Sequence, residues 1–332
     1  MESPDIQQLF FQHLKGKLPG HISFVEEMAE RLNISNDSAY RRIRGEKPIS
    51  FDELQKLCTH YKVSLDSFLH LQSDSFIFNG KLKSNSENCF EEWIENILAQ
   101  LQLFNSFKEK HMYFLLKDIP PFVHFLIPEL VRFKIFFWMK SILHYESLKG
   151  VKFDLEDKRY EKFEATAKKI IDMYIKIPMT EIWNSESIDS TLRQINFYKE
   201  TGSFKNSADI KLLYSKVEEL INHLEKQAEH GLKFRVGEEP TSTASEYRMY
   251  VNELILGDNT TMAELDGSRV TFLNYGVLFI VYTHDERFNN AMKENLDNLI
   301  KKSIMISKSG EKERVRFFNQ LREKIYRYRD MD

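Results

Sequence analysis

The stretch from Ile34 to Pro48 constrains this chain more than any other. Four cations, Arg41, Arg42, Arg44 and Lys47, crowd into a polar run whose only candidate core positions are Ala39 and Ile43. Ser35 precedes the run as a helix N-cap and Gly45 closes it, so the pattern predicts a helix over 36–44. Ala39 and Ile43, four apart, share one face and can pack on a preceding helix, while Asn36, Asp37, Tyr40, Arg41 and Arg44 project the other way. So thin an apolar stripe under so cationic an outer face suits contact with phosphates and base edges.

The flanking residues supply the rest of a small bundle. Ser23-Phe24-Val25-Glu26 reads as a capping box, and Phe24, Met28, Ala29 and Leu32 recur at helical spacing behind it. Asn33 tolerates the left-handed turn that must follow, and Ile34 plugs the core. Ser50-Phe51-Asp52-Glu53 caps a further helix with Leu54, Leu57, Cys58 and Tyr61 on one side, and a last short helix begins at Val63-Ser64-Leu65.

Three blocks of this region together resemble the Xre or Cro/CI-type helix-turn-helix of bacterial and phage regulators. They are Val25 to Ser35, Ala39 to Gly45 and Val63 to Leu69, and the resemblance covers roughly residues 5–70. It implies a bundle of about five helices, with Asn36 to Arg44 as the recognition helix in the major groove of double-stranded DNA. One position departs from the pattern. The family often places a phosphate-bonding glutamine early in the second helix, where this chain has Val25.

Individual roles follow from side-chain chemistry. Arg41 and Arg44 can donate bidentate hydrogen bonds to guanine and Asn36 can pair with adenine. Arg42 and Lys47 suit phosphates, which fix register without reading sequence. Asp37 can cap its own helix or accept from a cytosine amine; Ser35, Ser38 and Tyr40 complete the expected DNA-facing set. Residues 1–72 hold 9 Lys/Arg against 10 Asp/Glu, so the cationic surface is confined to Arg41 through Lys47. With few phosphates neutralised per copy, one copy binds weakly, and specific binding calls for a homodimer on a roughly palindromic operator.

The 332 residues allow two or three domains, and 42% hydrophobic with 29% charged residues is ordinary for a soluble globular chain. A net charge of −3 supplies no long-range attraction to nucleic acid. Two cysteines, Cys58 and Cys89, build no disulfide framework and fit a reducing compartment. No signal-like apolar run opens the sequence. The greasiest segment, Phe122 to Leu143, is interrupted by Pro128, Glu129, Arg132, Lys134 and Lys140, and reads as buried helices rather than a membrane span. The expected location is cytoplasmic.

The expected architecture is mainly α. A helix-turn-helix bundle occupies 1–71, a linker 72–88 surrounds an anchor at Phe76-Ile77-Phe78, and an all-helical domain spans 89–230. A small α+β part with antiparallel strands follows at 231–332, regulatory or dimerising, packed on the helical domain. Helices are expected over 89–117, 121–146, 154–177, 188–200 and 207–230. In the last, Ile210, Leu213, Val217, Leu220 and Leu224 form a short heptad stripe, more often internal core than a dimer seam. Strands are expected at 232–236 and 247–256; Thr261 to Leu265 would pair back, and Val277 to Tyr282, apolar on both faces, would be central. Helices over 285–302 and 311–329 complete the chain, the latter burying Val315, Phe318, Leu321, Ile325 and Tyr328.

Catalytic signatures are missing from the sequence. The order of elements over 232–306 is similar to regulatory phospholipase D-like sensor halves. However, His13-Leu14-Lys15 lacks the following Asp that such enzymes need, and His60-Tyr61-Lys62 reaches Asp66 one residue early. There is no phosphate loop, dinucleotide fingerprint or Cys/His cluster at metal spacing, and His284-Asp285 reads best as a helix cap. The expectation is a non-enzymatic, cofactor-free transcription regulator whose large body dimerises and senses a small-molecule or peptide effector. The alternative is a protein-interaction adaptor that uses the same bundle without DNA.

Overall fold

The computed structural model describes residues 5–69, 76–81, 88–254 and 257–330, which organise around separate hydrophobic cores. The first core lies within five helices: α1 (Ile6–Lys15), α2 (Phe24–Leu32), α3 (Asn36–Ile43), α4 (Phe51–Tyr61) and α5 (Leu65–Phe68). Phe10, Phe11 and Leu14 of α1 meet Met28 and Leu32 of α2, Ala39 of α3 and Leu57 of α4. Asn33 takes the left-handed conformation at φ 55°, as its short amide permits. The capping box expected at Ser23 does not form, because the Ser23 side chain makes no cap hydrogen bond. The box is found instead at Ser50 and Glu53, each bonding the other's backbone amide.

The second core belongs to a sheet of eight strands. These are β1 (Asn79–Gly80), β2 (Lys110–Leu115), β3 (Met179–Trp183), β4 (Tyr247–Val251), β5 (Thr260–Leu265), β6 (Ser268–Asn274), β7 (Ile280–Thr283) and β8 (Ile304–Met305). Their order is β1-β7-β6-β5-β2-β3-β4-β8, with β2, β3 and β4 parallel and every other pairing antiparallel. One face packs on α6 (Cys89–Ser106), α7 (Pro128–Phe137), α8 (Glu161–Tyr174), α9 (Asp189–Glu200), α10 (Ala208–His230) and α12 (Glu311–Asp330). The other face is covered by α11 (Glu286–Lys301), through Met292, Leu296, Leu299 and Ile300.

The chain is mainly α, as expected, but residues 89–230 are not helical throughout. β2 lies inside the segment read as a helix over 89–117, and β3 begins directly after Pro178. Both occupy the middle of the sheet and are wanted apolar on both sides: Met112 and Phe114 enter the large core while Tyr113 and Leu115 face α11. A strand buried on both faces carries no alternation to mark it. One sheet therefore joins the supposed helical domain to the supposed α+β part.

Other strand assignments shift for the same long-range reason. Residues 232–236 contribute a single bridge, Leu232 to Glu246, rather than a strand. Thr260–Leu265 does not pair back onto β4 but lies between β2 and β6. Residues 277–282 are not central: β7 sits next to the edge, flanked by β6 and the two-residue β1. Leu254 ends the described part of the 247–256 segment, and residues 72–75 and 82–87 of the linker also lie outside the described residues. Its anchor is described: Phe76 and Phe78 set ring edges on Phe288, and the Ile77 carbonyl accepts from Thr283 Oγ1 at 2.8 Å.

Leu213, Val217, Leu220 and Leu224 of the heptad stripe are buried in the intramolecular core alongside α12. On α12, Phe317, Phe318, Leu321 and Ile325 are buried but Val315 is exposed; the inner position is taken by Arg314, which donates to the Ile306 carbonyl at 3.0 Å. Asp285 caps α11 by accepting from the Phe288 amide at 3.1 Å. Among the described residues no helix is long and apolar enough to cross a membrane.

Burial sets a pH dependence. It pushes the Lys134 ammonium down to about 7 and Lys17 to about 8, and lowers Lys233 also. Between those values and 10.5, the ordinary value for lysine, the unfolded chain holds protons that the folded chain has released, so stability rises with pH. His13 and His111, lowered to about 4 by burial, act in the same direction between there and 6.5. Tyrosines such as Tyr174 and Tyr247, raised by burial, reverse the sign above pH 10. The urea midpoint should climb from pH 7 to pH 9; a falling midpoint over that interval contradicts this account.

Candidate nucleic-acid interface

The cationic segment forms α3 and the turn after it. Ser35 caps the helix by accepting from the Ser38 amide at 3.3 Å, and its own hydroxyl donates to Ser38 Oγ at 3.1 Å. Ser35 and Ser38 thus fix the start of the helix. Asn36, Asp37, Tyr40, Arg41 and Arg44 are all exposed, on the side away from buried Ala39.

Arg42, expected to meet phosphate, is not on the exposed side of α3. It is 6% exposed and turned inward, with Nε and Nη2 donating to the two carboxylate oxygens of Glu53 at 3.0 and 2.7 Å. Nη1 also reaches the Ser38 carbonyl at 3.2 Å. Burial alone would push the Glu53 carboxyl up, but Arg42 and the Ser50 amide hold it below the usual carboxylate range. One carboxylate therefore locks α3 to α4 and caps α4 at once. Arg42 thus holds α3 against α4 and does not present its guanidinium on the exposed side of the helix.

Three cations remain on the surface. Arg41 and Lys47 form no side-chain ion pair or hydrogen bond among the described residues. Arg44 is partly engaged: its guanidinium lies 5.6 Å from the Tyr40 ring centre, Nη1 donates to Tyr40 Oη at 3.4 Å, and Nε is 3.2 Å from Glu46. Tyr40 therefore stiffens an arginine that points to solvent. Arg41 is the freest donor on the helix, and Asn36 and Asp37 lie one turn before it.

Residues outside the segment hold this surface in place. Gln7 Nε2 donates to the carbonyls of Arg42 and Lys47 at 2.7 and 2.8 Å, while Gln7 Oε1 accepts from the Ile49 amide at 2.9 Å. Gln8 Nε2 donates to the Arg44 carbonyl at 2.6 Å. Gly45 ends α3 at φ 78°, where a Cβ would also meet Asp5 Oδ2 at 3.0 Å. Neither glutamine carries a local sequence signal, since their partners are about 40 residues away. Val25, where the family often has glutamine, packs against the bundle core.

The body leaves this face open. It meets the bundle near the end of α1, where Ser268 Oγ donates to the Gly16 carbonyl at 3.2 Å. His284 is lowered to about 3 by burial, with Lys17 and His13 opposing its charge. No group of His, Cys, Asp and Glu among the described residues could hold a metal ion. Comparison with curated proteins and with solved structures gives no match. Residues 25–68, from α2 to α5, match the helix-turn-helix family, and the N-terminal bundle is accordingly a helix-turn-helix domain of the Xre or Cro/CI type.

Proposed function

We propose that this protein is a sequence-specific, dimeric DNA-binding regulator of transcription, acting in the cytoplasm. In this reading it has no catalytic step, and its large body joins two copies and responds to an effector. The observation that carries the reading is the exposed edge of α3. Asn36, Tyr40, Arg41 and Arg44 stand outward on a helix clamped from behind by Arg42 and Glu53, and the body does not cover them. A domain whose acidic and basic residues nearly balance gains little from phosphates alone, so affinity has to come from base contacts and from pairing of copies.

Gel-shift titration of the full chain against genomic fragments at low salt tests the reading. One or a few fragments should be retained over competitor DNA, with two copies bound per site and half-sites about 34 Å apart. Replacing Arg41 and Arg44 together by Ala should weaken retention by roughly 1–3 kcal/mol per lost base contact, with unchanged circular dichroism. No preferred fragment at any protein concentration defeats the proposal. Loss of a bound protein in place of bound DNA supports the adaptor.

A further inference from the structure

Away from the bundle, an open cleft of about 340 Å³ lies between α9 and the end of α7. Phe137 and Phe197 form apolar walls, and Ser190, Arg193 and Gln194 supply polar atoms along α9. The opposite side is built by Ser141 and Ile142, which belong to a π-helical turn, Trp138–Ile142. Such turns interrupt α-helices infrequently and are often found at functional sites. Phe197 is 55% exposed, an aromatic left uncovered by its own fold.

A buried lysine lies behind the cleft. Lys134 is buried, with no carboxylate at ion-pair distance among the described residues and Asp118 favouring its charge from farther off. Its Nζ donates to Gln194 Oε1 at 2.7 Å and Thr191 Oγ1 at 3.2 Å, beside the Trp138 ring. With its oxygen held by Lys134, the Gln194 carboxamide must present its Nε2 on the other side. One of its N–H groups donates to Ser190 Oγ at 3.2 Å, leaving a second to donate. Arg193, exposed at the same rim, forms no ion pair among the described residues. The cleft thus collects hydrogen-bond donors, an exposed guanidinium among them, beside two aromatic side chains.

We propose that this cleft binds a small organic monocarboxylate with an aromatic or aliphatic body. The carboxylate accepts from Arg193 and from the Gln194 amide that Lys134 orients, and the body fills the space between Phe137 and Phe197. The size falls within the range of small-molecule sites. The site occupies the effector's place in the regulator reading above, but it rests on the geometry of the body alone and is tested without DNA.

The test is thermal unfolding and calorimetric titration of the full chain with phenylacetate and hexanoate. Phenylacetamide serves as the neutral counterpart and inorganic phosphate as the simple anion. A carboxylate should raise the melting temperature in a saturable way, while phenylacetamide and phosphate leave it unchanged. Arg193→Gln should weaken binding about tenfold or more, the loss expected for a charge-assisted contact. Phe197→Ala, at an exposed position, should weaken it with the fold intact, and Lys134→Met should weaken it without touching the ligand. The inference is overturned if neither carboxylate binds at millimolar concentration, if phosphate or phenylacetamide binds equally well, or if Arg193→Gln leaves affinity unchanged. Carboxylate binding with no effect on DNA retention upholds the site and removes its role in regulation.

Discussion

Glu181→Ala is expected to cost the body about 3–5 kcal/mol, the range for removing one partner of a buried ion pair. Glu181 is 1% exposed on central strand β3 and accepts three hydrogen bonds on the helical side of the sheet. Trp183 Nε1 donates at 2.7 Å, Tyr174 Oη at 2.9 Å and Tyr247 Oη at 2.6 Å. Lys233 Nζ stands 3.5 Å away, over the Tyr174 ring. Alanine would strand three donors and leave an ammonium with no counter-charge in a site that excludes water. Such a loss is a large share of the roughly 5–15 kcal/mol that holds an average domain together. Trp93, Trp138 and Trp183 all belong to the body, so tryptophan fluorescence in urea reports this unfolding apart from the bundle. Glu181→Gln should fall between, keeping an acceptor while losing the charge. The pair Glu181→Met with Lys233→Met should recover part of the loss, since apolar residues of similar size often replace a buried pair without penalty. A Glu181→Ala midpoint equal to that of the unaltered chain would contradict this account.

The same cluster explains what could be read from the sequence and what could not. α3 is specified locally: Ser35 starts it, Gly45 stops it, and the apolar positions on α2 and α4 recur at helical spacing. β3 has no such local mark. It is a five-residue run, Met179-Thr180-Glu181-Ile182-Trp183, placed after a proline and between two long helices, and it carries a carboxylate where an apolar side chain is expected. Only the arrival of Tyr174, Tyr247 and Lys233 from elsewhere makes Glu181 acceptable at that position. Pairing between β2 and β5 joins residues about 150 apart, and no periodicity within either strand announces it.

At the candidate interface the illegible part is smaller and of another kind. Arg42 stands between two other arginines of the same segment, and composition cannot separate them. Helical phase can. Arg42 lies three residues after Ala39, so it borders the inward arc of Ala39 and Ile43, whereas Arg41 and Arg44 lie on the opposite side of the helix. The inward arginine still needed an acceptor. Glu53 could be read as an N3 capping residue of α4, but its second role depended on how α3 and α4 pack.

This division of labour gives the second large effect. Arg42→Ala should abolish DNA retention although Arg42 faces away from the exposed surface, because it removes the clamp between α3 and α4. The side chains of Arg42 and Glu53 are 8% and 16% exposed, so the loss falls near the low end of about 3–5 kcal/mol for a buried pair. A bundle of this size has little stability in reserve, at roughly 0.05–0.15 kcal/mol per residue. Limited proteolysis should then cut the bundle rapidly, while the urea midpoint of the body, followed by tryptophan fluorescence, stays where it was. Arg41→Ala makes the opposite pattern: weaker DNA retention by about 1–3 kcal/mol with unchanged resistance to protease. If Arg42→Ala left the bundle resistant and weakened DNA binding no more than Arg41→Ala, the clamp would be a minor contact. Arg42 would then have to be returned to the DNA-facing set.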